Sequence, residues 1–123
     1  MLSDSKLICF AATRDAEGAK EFYQDVLGLK LTEDSPFALA FDANGTMLRL
    51  QKIADHKPPQ NTVLGWHVVD ISAKVEELVK RGVRFQRYSG MDQDPQGIWA
   101  SPGGARVAWF NDPDGNTLSL TQW

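Results

Sequence analysis

Leu48-Arg49-Leu50-Gln51 and, 70 residues further on, Leu118-Ser119-Leu120-Thr121 carry one pattern, leucine alternating with a longer or polar side chain. Alternation of this kind is what a strand with one buried face needs, because successive side chains point to opposite sides of a sheet. The same offset lays Asp42 and Gly45 over Asp112 and Gly115, residues suited to the turn that enters each strand. A strand and its turn, both used twice, predict a repeated unit.

Working outward, the first half opens on the apolar run Leu7–Ala12. Thr13 or Asp15 then offers a helix N-cap. Ala16, Ala19, Phe22, Tyr23, Val26 and Leu27 follow at helical spacing, with Gly28 where a helix-ending glycine belongs. Strands are expected over 28–32, 37–41 and 46–52. The second half repeats this order. A strand over 62–69 leads to Asp70 or Ser72 as cap, to Val75, Leu78 and Val79 on a helix, and to Gly82 at its end. Strands are expected over 83–88, 98–101, 105–110 and 117–122, with Asp112-Pro-Asp-Gly115 as a type I turn. Each half reads βαβββ. Residues 54–60, polar and proline-rich, join them, and 89–97 is a second irregular stretch. The prediction is one α+β domain over 1–123, with module one at about 6–53, a linker at 54–60 and module two at about 61–123.

Strand parity assigns Leu48, Leu50, Leu64, Trp66, Val68, Leu118 and Leu120 to a face the helices should cover. Arg49, Gln51, His67, Thr117, Ser119 and Thr121 fall on the opposite face, with Ile8, Phe10 and Val63. Trp66 is expected in the core. Trp109 and Phe110 point opposite ways, so one of them lines the polar face.

Composition excludes several classes. The 123 residues carry 13 Lys+Arg against 16 Asp+Glu, a net charge of −3, so there is no basic footprint for nucleic acid or an anionic membrane. The single cysteine, Cys9, forms no internal disulfide, which removes the small secreted scaffolds. No apolar run reaches the roughly 18 residues of a membrane span. Residues 1–6 lack a basic leader segment, and a cytoplasmic location is expected.

Phe22-Tyr23-Gln24-Asp25-Val26-Leu27-Gly28-Leu29, Asp112-Pro-Asp-Gly-Asn116 and Leu118-Ser-Leu120, set in a duplicated βαβββ order, resemble the vicinal oxygen chelate superfamily. That superfamily includes glyoxalase I, extradiol dioxygenases, fosfomycin resistance enzymes and bleomycin resistance proteins. The resemblance covers nearly the whole chain. It implies two modules forming a U-shaped mixed or antiparallel sheet, with the site inside the cup, helices outside, and a homodimer.

The resemblance also implies where a metal would be held. The four ligand positions of the family's metal enzymes fall on Ile8, Arg49, Val63 and Ser119. Two are hydrocarbon, one is a permanent cation, and a serine hydroxyl replaces a carboxylate poorly. A one-residue slip would move each to the other face. His67 lies four residues past Val63, and His56 is in the linker. Asp112-x-Asp114-x-Asn116 starts like a calcium loop, but its glycine comes too early and no position-twelve glutamate follows. Cys9 sits among apolar neighbours, and Gly103-Gly104 follows Pro102 as a turn. No metal and no cofactor are expected.

The candidate ligand-binding residues are therefore Arg49, Gln51, His67, Trp109, Ser119 and Thr121. Arg49 would pair either with Glu33 or Asp34, or with an anionic group of a ligand. These residues predict a metal-independent protein that binds a small organic molecule, such as an antibiotic or an aromatic metabolite. The alternatives are a lyase, isomerase or hydrolase of the same fold using His67 and Arg49, or a metal enzyme with displaced ligands.

Overall fold

In the computed structural model, which describes residues 1–123, the chain folds as two units, Met1–Pro58 and Pro59–Trp123. The first unit runs β1 (Ile8–Thr13), α1 (Ala16–Glu21), β2 (Lys30–Asp34), β3 (Ala38–Ala43) and β4 (Thr46–Lys52). The second runs β5 (Thr62–His67), α2 (Ile71–Lys80), β6 (Trp99–Ala100), β7 (Arg106–Asn111) and β8 (Thr117–Gln122). Each builds a four-stranded mixed sheet, in the orders β1-β4-β3-β2 and β5-β8-β7-β6. The first and last strands of each unit pair in parallel, and the other pairs are antiparallel. The predicted βαβββ repeat is therefore present in both halves, and no helix is long and apolar enough to cross a membrane.

Local chemistry explains the element ends. Asp15 caps α1 by accepting from the Gly18 amide at 3.1 Å, and Asp70 caps α2 through the Ala73 amide at the same distance. Ser72, the other candidate cap, instead donates to Gln96 Oε1 at 2.7 Å. The hairpin between β3 and β4 turns on Asn44 and Gly45, both at positive φ, with the Gly45 amide held by Asp42 Oδ1 at 2.9 Å.

In the first unit Tyr23 packs on Phe41, and Ala19, Leu39, Leu48 and Leu50 are buried with them, all fully or almost fully. In the second, Ile71, Val75 and Leu78 of α2 cover Ala108, Phe110, Leu118 and Leu120. Removing the Phe110 ring from this core would cost about 3–5 kcal/mol.

Four expectations need correction. The first helix is not α-helical to Leu27. After Glu21 it passes into a π-helical turn over Phe22–Val26, closed by the Leu27 amide on the Phe22 carbonyl at 2.9 Å. This widening puts Tyr23 edge-on to Phe22 and over Phe41. The segment 83–88 is no strand. It touches the sheet at one bridge, Phe85 to Phe110, and then leaves it. The strand expected over 98–101 shrinks to two residues, Trp99–Ala100. Trp66 does share a face with Leu120, but on the edge strand β5 it is only half-buried and not core.

Candidate functional site

The polar face of the first sheet is set by register. Arg49 on β4 lies between Phe10 on β1 and Ala40 on β3, and Gln51 lies between Ala12 and Ala38. Three of these four neighbours are alanines, which crowd the two polar side chains little. Ile8, Phe10 and Met47, exposed on the same face, give it an apolar margin.

Two carboxylates were candidates to neutralise Arg49, and a single β-bulge separates their fates. The bulge between Leu31 and Glu33 sets Glu33 opposite Ala40, and therefore on Arg49's face, while Asp34 falls opposite Leu39 on the helix side. Glu33 Oε2 is 3.9 Å from Arg49 Nη1, beyond hydrogen-bond length, and the Glu33 side chain is 52% exposed. Asp34 meets Lys20 of α1 at 2.8 Å and Lys52 of β4 at 2.7 Å. Hydrogen bonds from Lys20 and then Lys52 hold the Asp34 carboxyl down at about 2, and the same contact raises Lys20. Asp34 thus ties the helix to the sheet. Arg49 keeps only a loose partner.

The polar face of the second sheet has a different character. Ser119 lies between Gly65 on β5 and Trp109 on β7, and Thr121 lies between His67 and Val107. Trp99 shares this face through its pairing with Val107. The Trp99 and Trp109 rings stand 6.1 Å apart at 37°, and Tyr88 meets Trp109 edge-on at 5.6 Å and 84°. Burial raises the Tyr88 phenol. These three rings form a corner beside the hydroxyls of Ser119 and Thr121. His67 is exposed at the strand end, with its ring 5.1 Å from that of Trp123.

The sequence-derived residues thus gather as two sets, Arg49 with Gln51 on one sheet and His67, Trp109, Ser119 and Thr121 on the other. Phe110, the other half of the tryptophan–phenylalanine pair, is core. Tyr88, Trp99 and Gly65 were not singled out for the site. A glycine inside an alternating strand is itself the signal that something approaches closely. Here it is Ser119, whose Oγ would lie 2.8 Å from a Cβ at position 65. Tyr88 ends the run expected as a strand over 83–88, and only the loop that replaces this strand brings it to Trp109.

The donor chemistry for a divalent metal is poor on both faces. The residue beside Arg49 on β1 is Phe10, and the one beside Ser119 on β5 is Gly65. Neither offers a ligand atom, and Ile8 and Val63 are no better. Within neither unit do three His, Cys, Asp or Glu side chains gather as a metal would need. The carboxylate-rich Asp112–Asn116 turn is spent on itself. Asp112 Oδ1 accepts from the amides of Asp114 and Asn116 at 2.9 Å each, and Oδ2 accepts from Asn116 Nδ2 at 2.8 Å. These residues do not fit the metal that the vicinal oxygen chelate fold implies.

A sequence model of the Glyoxalase/Bleomycin resistance protein/Dioxygenase superfamily matches residues 8–120. No curated protein matches the chain. Among solved structures, it resembles TnmS3, an antibiotic binding protein from Streptomyces sp. CB03234, at 28% identity and a TM-score of 0.66, covering 95% of both chains. A superfamily member from Sphaerobacter thermophilus DSM 20745 is 25% identical with a TM-score of 0.71, covering 95% of this chain and 97% of that one. A lactoylglutathione lyase from Agrobacterium tumefaciens shares the fold at 20% identity and a TM-score of 0.69, over 96% of this chain and 93% of its own.

Proposed function

Because the chain belongs to the Glyoxalase/Bleomycin resistance protein/Dioxygenase superfamily, which holds both enzymes and binding proteins, we propose that it binds a small planar organic molecule without a metal ion. An antibiotic or an aromatic metabolite, held by sequestration, is the ligand class this reading favours. The observation that carries it is the aromatic corner of Tyr88, Trp99 and Trp109 beside the hydroxyls of Ser119 and Thr121. Flat rings next to neutral hydrogen-bonding groups suit a ligand that stacks and is oriented by a few polar contacts. The ligand positions carrying Ile8, Arg49, Val63 and Ser119 argue in the same direction, since they favour an organic or anionic group over a divalent cation. The likeness to an antibiotic binding protein supports it.

In this reading Trp109 stacks on the ligand and Ser119 and Thr121 donate or accept hydrogen bonds on the second unit, and Arg49 and Gln51 form a separate polar pair on the sheet of the first. Arg49, whose partner Glu33 stands 3.9 Å off, receives an acidic group. His67, exposed at the strand end beside Trp123, stands at the edge of this set and is not needed for affinity. The protein works as a homodimer in the cytoplasm, where its lone thiol stays reduced.

A metabolite and antibiotic screen by quenching of tryptophan fluorescence tests this directly. A hit should be lost or strongly weakened in Trp109→Ala, weakened in Arg49→Ala if the ligand is an anion, and retained in His67→Ala. Turnover of the hit that disappears in His67→Ala, with binding kept, would instead make the protein an enzyme using His67 as its acid or base. Light scattering reports the dimer.

A further inference from the structure

Between α2 and β6 the chain makes a long excursion that carries Tyr88 out to the aromatic corner and returns to Trp99. One side chain closes it. Gln93 Oε1 accepts from the Tyr88 amide at 2.7 Å, and Gln93 Nε2 donates to the carbonyls of Gln86 at 3.0 Å and Gly97 at 2.8 Å. The Gln93 backbone forms a bridge with Trp99. The outgoing limb is anchored to the sheet where the Gln86 amide donates to the Trp109 carbonyl at 2.7 Å. Arg87 adds bonds from its guanidinium to the carbonyls of Gln93 at 3.1 Å and Pro95 at 3.4 Å.

We propose that Gln93 is the positioning residue of the aromatic corner, clasping the limb that bears Tyr88 to the limb that bears Trp99 so that both rings keep their places around Trp109. The inference rests on the reading that this corner takes a planar ligand. The chemistry singles out glutamine. One acceptor and two donors are needed in a single group, at the end of a side chain long enough to reach three backbone atoms. Glutamate supplies no donor and would set a carboxylate against two carbonyl oxygens. Leucine supplies neither. Gly97 fits the same arrangement, since it is buried with φ of +87°, a left-handed conformation that other side chains rarely adopt. A corner held before the ligand arrives loses less freedom on binding, which is how a residue that never touches the ligand raises affinity.

The test compares wild type with Gln93→Leu and Gln93→Glu, using 4-nitrobenzoate as a planar quenching probe. Near-ultraviolet circular dichroism follows the tryptophan environment, and far-ultraviolet dichroism follows the fold. The expected result is an affinity for the probe about ten-fold lower in both variants, the scale of one to two lost hydrogen bonds. Near-ultraviolet bands should weaken while the far-ultraviolet spectrum is kept. Variants that bind the probe as wild type does, with unchanged near-ultraviolet bands, overturn the proposal. If both variants unfold, amide hydrogen exchange on the wild type decides it. Slow exchange at Tyr88 beside fast exchange at Ser89 supports the clasp, and equally fast exchange at both overturns it. A wild type that does not bind the probe counts against the planar-ligand reading. The dichroism and exchange results still decide the role of Gln93.

Discussion

Gly65 and Ser119 face one another across the parallel β5–β8 ladder so closely that a Cβ on Gly65 would stand 2.8 Å from Ser119 Oγ. Ser119 itself is 7% exposed. Gly65→Ala should therefore destabilise the second unit by about 1 kcal/mol as the hydroxyl is forced to another rotamer. Denaturant unfolding of Gly65→Ala, Ser119→Ala and the double variant measures this. The penalty of the alanine at 65 should shrink once Ser119 has lost its hydroxyl, and equal penalties in both backgrounds would show that the contact is not the cause.

The Asp34 bridge makes stability depend on acid. Its carboxyl sits at about 2 in the folded chain, against an ordinary value of 3.8, because Lys20 and Lys52 hydrogen-bond to it. The contribution is thus fully present above the unfolded value and fades as pH falls from about 4 towards 2. Asp34→Asn should melt below wild type at neutral pH, and the gap should close as the scan is repeated down to pH 2. A gap that stays constant with pH would mean that charge is not what Asp34 supplies. Lys20 works with the opposite sign. Its raised value keeps its share intact below 10.5 and loses it only at more alkaline pH.

Asp112 serves three buried donors at once, the amides of Asp114 and Asn116 and the Asn116 side chain. Asp112→Ala would orphan them and should cost about 2–4 kcal/mol, read as a lower urea midpoint. Asp112→Asn should recover only part, because its amide nitrogen would meet the Asn116 donor. Added calcium should raise the melting temperature of neither wild type nor variant, and a rise would assign the turn a cation.

Arg49 offers the opposite case, a charged residue the fold barely needs. With Glu33 at 3.9 Å and half in solvent, Arg49→Ala should change unfolding free energy by no more than about 1 kcal/mol. A larger loss would make Arg49 a structural residue and remove it from the ligand set.

The repeat, the caps at Asp15 and Asp70, and the two polar faces were legible because alternation and capping are local rules. The strand-like run at 83–88 misled because its apolar residues, Val83 and Phe85, serve a loop that grazes the sheet once. Helical spacing at Phe22 and Tyr23 could not report a π-helical turn, since one extra residue per turn is fixed by how Tyr23 packs on Phe41. In the site, parity placed Arg49, Gln51, His67, Ser119 and Thr121 on the correct faces. It could not tell Glu33 from Asp34, because a β-bulge chose between them. It also missed Tyr88, which meets Trp109 from a loop whose limbs Gln93 joins.

The proposed binding of a planar organic ligand needs no metal ion. The most direct measurement is a calorimetric titration of a screening hit into protein dialysed against EDTA, repeated after adding Zn²⁺, Ni²⁺, Mn²⁺ or Fe²⁺. Binding with the same affinity in all cases is the expected result. Binding that appears only when one of these metals is restored, at one equivalent per chain, would mean that the ligand is held through a metal ion.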